Sequence, residues 1–197
     1  MVRFTLRLVL SAVLLATCAC DEQPPANPLI AAARSGSLEE IEHLLDSGAD
    51  VNSPAPTGDD WDATPLQHAI LARQPAAVRL LLDRGADPNR VASQNAPTPL
   101  ALAAGDTDPT YVKLLLAHDA DPTREDDSGV TPLARAVSAG TIHGPDRPMF
   151  GGCRVETVRA LIEHNPKLRL KRNSARDDAI WWARFQGCGD VLNLIGE

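Results

Sequence analysis

The chain has 197 residues, of which 44% are hydrophobic and 23% are charged, and its formal net charge is -7 at pH 7. The hydrophobic fraction is too high for a disordered chain, and the length suits one ordinary domain. The acidic balance argues against a nucleic-acid-binding surface, because phosphate recognition needs a clustered excess of Lys and Arg. With three Trp, three Phe and one Tyr, the core must be packed mainly by aliphatic side chains.

Residues 1–19 are predicted to be a signal peptide for export. A basic start precedes an apolar run over residues 8–19, which is too short for the roughly 20 residues that cross a bilayer as a helix. The end of this run resembles the lipobox of bacterial lipoproteins, in which a Cys that follows small residues is lipidated and becomes the new N-terminus. Residues 20–26 then form a linker between the anchor and the fold.

Two cysteines fit the lipidation site. Cys20 is favoured because Ala19 directly precedes it, whereas Cys18 follows an unusual Thr17. In lipoproteins, Asp directly after the lipidated Cys tends to retain the protein at the inner membrane. Asp21 therefore implies the inner membrane if Cys20 is modified, and lipidation of Cys18 implies the outer membrane. The alternative is cleavage after Ala19 and a free periplasmic protein, and in each case the compartment is oxidising.

From residue 27 onward the sequence contains an internal repeat. Thr before Pro predicts a helix start, because the Thr hydroxyl accepts hydrogen bonds from free backbone amides and Pro in the first turn gives up an amide that has no partner. A Leu-Leu segment predicts the end of a second helix in each unit. The Thr-Pro-Leu segments lie at residues 64–66, 98–100 and 131–133, and the Leu-Leu segments at residues 44–50, 81–87 and 115–121.

The residue after each Leu-Leu segment predicts how the second helix ends. Gly48 and Gly85 favour a left-handed turn at the helix end. Asp119 and Asn165 take this place in the third and fourth copies, and both residue types tolerate a positive φ. Each unit is therefore predicted to be a helix, a turn, a second helix and an extended loop.

This pattern resembles the ankyrin repeat, in which T-P-L-H-x-A-A-x-x-G is followed by a second helix that ends in L-L-x-x-G-A-D. The resemblance covers residues 27–197 and implies an all-α solenoid of helix-turn-helix units joined by extended β-turn loops. The predicted units are residues 27–60, 61–95, 96–127, 128–173 and 174–197.

Two departures from the family pattern carry expectations. The family's His is absent from every copy, and Gln67 takes its place in the second, so the hydrogen bonds that this His makes between repeats lose their usual donor. Trp181 and Trp182 are bulky residues in the last unit, suited to closing an end of the stack that otherwise exposes its core.

The two cysteines outside the signal region lie about one repeat apart, and each is predicted to start the second helix of its unit. In an oxidising compartment this predicts a disulfide between Cys153 and Cys188. Equivalent points on stacked repeats are roughly 10 Å apart, too far for the alpha carbons of a bridge. Cys153 must therefore move, which the preceding Gly151 and Gly152 allow. Two free thiols are the alternative.

The sequence predicts neither catalysis nor a cofactor. The five histidines form no metal-binding spacing, and no nucleophile motif or phosphate-binding glycine loop is present. The resemblance implies protein binding instead, with Trp61 and Phe185 as aromatic anchors and the acidic residues steering a basic partner. The alternatives are that Trp61 packs on its own long loop and that Phe185 belongs to the end cap. Carried over residue by residue, the family's contact positions fall on Arg34, Asp60, Trp61, Arg84, Asn95, Asp106, Asp127, Ser128, Asp177, Phe185 and Gln186.

The expected protein is a monomeric, lipid-anchored periplasmic module that binds another protein and touches the membrane only through its N-terminal lipid. Among small periplasmic ankyrin lipoproteins, one recurrent role is immunity, in which the array covers the active site of a secreted antibacterial toxin such as a phospholipase effector. That is the sharper hypothesis here. The alternative is a housekeeping adaptor, resembling periplasmic ankyrin proteins associated with catalase and peroxide resistance.

Overall fold

The computed structural model describes residues 27–54, 63–91, 96–126, 129–138, 153–170 and 172–197. Within these ranges the regular structure is helical, which confirms the predicted all-α fold. The helices are α1 (Pro28–Ser35), α2 (Leu38–Asp46), α3 (Pro65–Leu71), α4 (Pro75–Asp83), α5 (Pro99–Ala104), α6 (Thr110–Ala117), α7 (Pro132–Val137), α8 (Val155–His164), α9 (Ser174–Phe185) and α10 (Gly189–Ile195). None of the described helices has both the length and the apolar character needed to cross a membrane.

The helices stack in two layers. In the inner layer α1, α3, α5, α7 and α9 each pack on the next, and in the outer layer α2, α4, α6, α8 and α10 do the same. The two helices of each unit also pack on one another. A unit therefore contacts mainly its own helices and those of its neighbours, which is the arrangement of a repeat solenoid.

The Thr-Pro segments begin helices as predicted. The hydroxyl oxygens of Thr64, Thr98 and Thr131 accept hydrogen bonds from the backbone amide three residues later, at 3.3, 3.1 and 3.1 Å. In each case the following Pro opens the helix. Asn27 does the same for α1, because its side-chain oxygen accepts from the amide of Leu29 at 3.0 Å.

Aliphatic side chains fill the core, in agreement with the composition. The leucine that follows each helix-opening proline is buried, and so is a small residue three positions after it. Small residues at that place let the inner helices approach closely. The leucines are Leu29, Leu66, Leu100 and Leu133, and the small residues are Ala32, Ala69, Ala103 and Ala136.

Gln67 replaces the hydrogen bonds that the absent histidine would have made. Its side chain is fully buried, its Oε1 accepts from the amide of Thr64 at 2.8 Å, and its Nε2 donates to the carbonyl of Pro97 at 3.0 Å. The second bond crosses from one repeat to the next. The amide side chain of Gln carries both a donor and an acceptor, so a residue other than His supplies the link here.

Three of the four predicted left-handed helix ends are confirmed. Gly48, Gly85 and Asp119 have φ of 93°, 88° and 63°. The prediction for Asn165 is wrong, because its φ is -132°. Asn165 precedes Pro166, and the proline ring disfavours helical backbone in the residue before it. The Asn165 side chain instead closes a short turn by accepting from the amide of Lys167 at 3.1 Å.

Asparagine side chains join the loops of successive repeats. The Asn52 Oδ1 atom accepts from the amide of Asp87 at 2.8 Å. One repeat later, Asn89 Oδ1 accepts from the amide of Asp121 at 2.8 Å, and Asn89 Nδ2 donates to the carbonyl of Asp119 at 3.0 Å. Asn89 therefore connects two repeats through both atoms of its amide.

Replacing Asn89 with Ala should lower the free energy of unfolding by about 1 to 2 kcal/mol, because two hydrogen bonds between repeats are lost. Urea unfolding followed by circular dichroism measures this difference. The matched control is Asn193→Ala on the exposed side of α10, where the change should be close to zero. Equal effects of the two substitutions would contradict a specific role for Asn89.

Candidate functional site

Several residues predicted to contact a partner or carry a lipid lie outside the described residues. These are Asp60, Trp61, Asn95, Asp127 and Ser128 among the contact positions, and Cys18 and Cys20 at the lipidation site. Their roles stay predictions. Arg34, Arg84, Asp106, Asp177, Phe185 and Gln186 are described, and their surroundings differ widely.

Helix α9 carries Asp177 in its first turn and Phe185 at its end, and Gln186 directly follows the helix. The Phe185 side chain is exposed to 62%. Its ring stacks on that of Trp181, with centroids 5.3 Å apart and an angle of 7° between the planes. Trp182 lies edge-on to both rings, at 4.9 Å from Trp181 and 5.9 Å from Phe185. We call Trp181, Trp182 and Phe185 the aromatic cluster.

The aromatic cluster divides the two tryptophans, of which at least one was expected to belong to the core or to close the stack. Trp182 is half-buried, consistent with a packing role, but Trp181 is exposed to 57%. Trp181 is not among the contact positions that the family resemblance implies. The signal was present in the spacing, because residues four apart on a helix are surface neighbours, which places Trp181 beside Phe185.

The opposite side of α9 holds it in the fold and so orients the cluster. Ala179, Ile180 and Ala183 are buried there. At the start of the helix, Asn173 caps the amide of Arg176 at 3.0 Å, and its Nδ2 donates to the carbonyl of Gly129 at 2.9 Å. The aromatic side chains therefore project from a helix that is anchored to the preceding repeat.

A shallow hollow of about 360 Å³ lies between α7 and α9, next to the aromatic cluster. Trp182 forms one wall, and Asp178 lies on the same side of α9. Arg135 is also in the lining, but its Nη2 contacts the Asp126 carboxylate at 2.9 Å, so its charge is balanced within the fold. The other lining residues are Val130, Ala134, Ser138, Ser174, Ala175 and Ala179.

The two predicted contact arginines lie apart from this cluster. Arg34 is exposed near the end of α1, and its carbonyl accepts from Gln74 Nε2 at 3.4 Å. Arg84 follows α4 in the outer layer, where it contacts Asp46 at 2.8 Å and Glu42 at 3.7 Å. These pairs tie α4 to α2, so Arg84 already has partners within the fold.

Asp106 is nearly buried, with 8% of its surface exposed. Its carboxylate contacts Arg73 Nε at 3.0 Å and accepts from the amide of Asp108 at 3.1 Å. Arg73 belongs to the preceding repeat. These contacts give Asp106 a structural role, since a partner would have to displace them before reaching the carboxylate.

Arg154, which belongs to the following repeat, binds the turn that contains Asp106. It is buried, and its Nε and Nη2 donate to the carbonyls of Asp106 and Gly105 at 2.9 and 2.7 Å. Burial lowers the pKa of Arg154, and the nearby Asp106 carboxylate acts in the opposite direction. The guanidinium therefore links the third repeat to the start of α8.

The neighbouring Cys153 forms a disulfide with Cys188 in the structure. Their alpha carbons are 5.4 Å apart, much closer than expected for equivalent points on stacked repeats and within the usual range for a bridge. Cys153 lies two residues before α8 and Cys188 directly precedes α10, and these two outer-layer helices pack together. Cys188 is buried and follows α9 by three residues, so the disulfide secures the unit that carries the aromatic cluster.

Removal of the disulfide should lower the free energy of unfolding by about 3 to 4 kcal/mol in the chain-entropy model. The substitution is Cys153→Ala, because Cys153 is exposed and the change leaves the buried Cys188 in place. Urea unfolding of the wild-type chain with and without dithiothreitol should reproduce the difference. If the reductant destabilises Cys153→Ala as much as the wild type, the effect does not come from this bridge.

The other pKa shifts among the described residues arise from contacts within the fold. Hydrogen bonds from the hydroxyl and the amide of Thr110 lower the pKa of Asp108, which stands before α6. Burial raises the pKa of the Tyr111 phenol. Within the described part of the chain, no group of three His, Cys, Asp or Glu side chains is placed to hold a metal ion.

Comparison with known proteins identifies related sequence. A family model described as ankyrin repeats (3 copies) matches residues 7–92. The 2-5A-dependent ribonuclease of Mus musculus is 40% identical over 75 residues, which is 38% of this chain and 10% of that protein. Mitochondrial disaggregase of Homo sapiens is 40% identical over 73 residues, covering 36% of this chain and 10% of the relative. The chain thus spans about a tenth of the length of these curated relatives.

Proposed function

We propose that the chain is an ankyrin-repeat protein and that it acts as a monomeric, non-catalytic module whose protein partner docks on the aromatic cluster of α9. Ankyrin repeats generally bind proteins. The observation that carries the choice of surface is the exposure of Trp181 and Phe185, to 57% and 62%. Large aromatic residues at the centre of an interface supply much of its binding energy, and exposed apolar patches mark interaction sites.

We also propose that the protein works in the periplasm, exported by residues 1–19 and anchored through a lipid on Cys20 or, less favoured, Cys18. The Cys153–Cys188 disulfide supports export, because structural disulfides persist in oxidising compartments and are rare in the cytosol. Asp21 after Cys20 favours retention at the inner membrane, and lipidation of Cys18 favours the outer membrane.

Metabolic labelling with an alkyne analogue of palmitate tests the anchor. The full chain expressed in a Gram-negative host should incorporate the label, and Cys20→Ser should abolish incorporation while Cys18→Ser retains it. The reverse pattern would move the lipid to Cys18 and the predicted location to the outer membrane. Unlabelled wild-type chain in the soluble periplasmic fraction would contradict the anchor and support cleavage after Ala19.

Immunity against a secreted antibacterial toxin, such as a phospholipase effector, is the specific role that we propose. A lipid-anchored array on the periplasmic side of the membrane would meet such a toxin where it acts. The net charge of -7 favours association with a basic partner, because opposite charges accelerate encounter. The aromatic cluster would supply contact area that covers the toxin's active site.

The test directs a secreted antibacterial phospholipase effector to the periplasm of a sensitive host. Co-expression of the wild-type chain should protect the host, and the purified proteins should bind one another in calorimetry. Phe185→Ala should weaken binding about 10- to 100-fold, since such anchors contribute about 2 kcal/mol or more. The control is Leu38→Ala, an exposed hydrophobic residue on the outer-layer helix α2.

Two outcomes would contradict these proposals. Binding that is unchanged when Trp61 and Phe185 are both replaced with Ala would show that the partner uses another surface. A deletion strain that is sensitive to peroxide without toxin challenge, together with no protection against the effector, would overturn immunity in favour of the catalase-linked adaptor.

A further inference from the structure

The exposed side of α9 carries charge and aromatic rings in a defined order. Successive residues of an α-helix are rotated by about 100°, so residues 178, 181 and 185 lie along one side. Asp178, Trp181 and Phe185 are all exposed there. The carboxylate stands toward the start of the helix, and Arg184 is exposed at its other end.

Asp178 is available for a partner without the loss of an ion pair, whereas the neighbouring Asp177 and Asp126 each contact an arginine. Asp177 contacts Arg176 at 3.3 Å, and Asp126 contacts Arg135 at 2.9 Å. Within the described residues, the Asp178 carboxylate has neither a hydrogen bond nor an ion pair. It borders the hollow between α7 and α9, so a cation bound beside it would be partly shielded from water.

The aromatic cluster next to Asp178 is already arranged for a flat cationic group. Trp181 and Phe185 are nearly parallel, and Trp182 supports both from the edge. The faces of aromatic rings attract cations within about 6 Å of the ring centroid, and Trp attracts them most strongly. Because the rings support one another, little side-chain freedom is lost on binding.

From this placement we propose that α9 binds an arginine side chain of a partner polypeptide, with the guanidinium on the Trp181–Phe185 pair and directed toward Asp178. Arginine suits the site better than lysine, because its planar guanidinium stacks on rings and pairs with a carboxylate through two hydrogen bonds. An apolar residue next to this arginine enters the hollow beside Trp182. The inference rests on the proposed function and adds the chemistry of the segment that is recognised.

The exposed Arg184 restricts where on the aromatic cluster the partner's arginine binds. A basic side chain is attracted to the Asp178 end of α9 and repelled near Arg184, so the partner's arginine lies over the first half of the cluster. The net charge of -7 also favours a positively charged partner.

A peptide library tests the inference without knowledge of the natural partner. The probe is a phage-displayed library of random dodecapeptides, selected on the immobilised full-length chain. Enriched peptides should contain an arginine next to an apolar residue. In fluorescence anisotropy, replacing that arginine with norleucine should weaken binding about 10-fold, with a smaller loss for lysine, in keeping with the strength of a partly desolvated cation–π contact and ion pair.

Variants of the chain locate the interaction. Asp178→Lys should weaken the arginine peptides at least about 10-fold and shift a new selection toward acidic peptides, because the sign of the site is reversed. Glu163→Lys, the same charge change on the exposed end of outer-layer helix α8, should leave binding unchanged. Trp181→Ala should weaken binding and Trp181→Phe should largely restore it. Circular dichroism and the urea midpoint confirm that each variant folds.

The outcomes separate this inference from the proposed function. Peptides that lack arginine but lose binding in Phe185→Ala would overturn the arginine site and leave α9 as the docking surface. Arginine peptides that bind Asp178→Lys as well as the wild type would also overturn it. Failure of Phe185→Ala to affect either peptides or the toxin would contradict the docking surface itself.

Discussion

The burial of one leucine in each helix pair by the neighbouring pair is the contact on which the rest of the structure depends. Leu66, Leu100 and Leu133 are each covered in this way, and no pair can bury its apolar side alone. The same dependence explains the unusual end of the stack. Helix α9 packs on α7 but has no following inner helix among the described residues, so its outer side carries Asp178, Trp181 and Phe185 in contact with solvent.

Polar links between repeats change in kind along the array. In the first three repeats the loops are joined by asparagine amides, each of which bonds the backbone of the next loop. The place of Asn89 is taken in the third repeat by Thr123, whose hydroxyl donates to Asp121 in its own turn. Beyond that point Arg154, the Asn173 amide and the Cys153–Cys188 disulfide supply long-range connections. The carboxy-terminal units therefore add a buried cation and a covalent bridge to the hydrogen bonds between repeats.

Much of the fold could be predicted because its signals are local. Thr64, Thr98 and Thr131 cap helices through atoms a few residues away, and the left-handed ends at Gly48 and Gly85 follow from the residue type. The left-handed end predicted at Asn165 fails for an equally local reason, because Pro166 disfavours helical backbone in the residue before it. The candidate site could be predicted less well from the sequence. Asp106 occupies a turn that the repeat pattern places at the surface, and only Arg73 and Arg154 from the neighbouring repeats bury it.

The sequence by itself determined where helices begin and end, which side of each faces the core, and that the units stack, because caps, prolines and apolar spacing act within one repeat. The tertiary structure decided which polar residues are free and which are occupied. Arg84 is paired with Asp46, Asp106 is covered, and Trp181 stands exposed against Phe185. The tertiary structure also set the distance between Cys153 and Cys188. These properties depend on how closely one unit sits on the next, which is set by packing between repeats and not by the residues of any one of them.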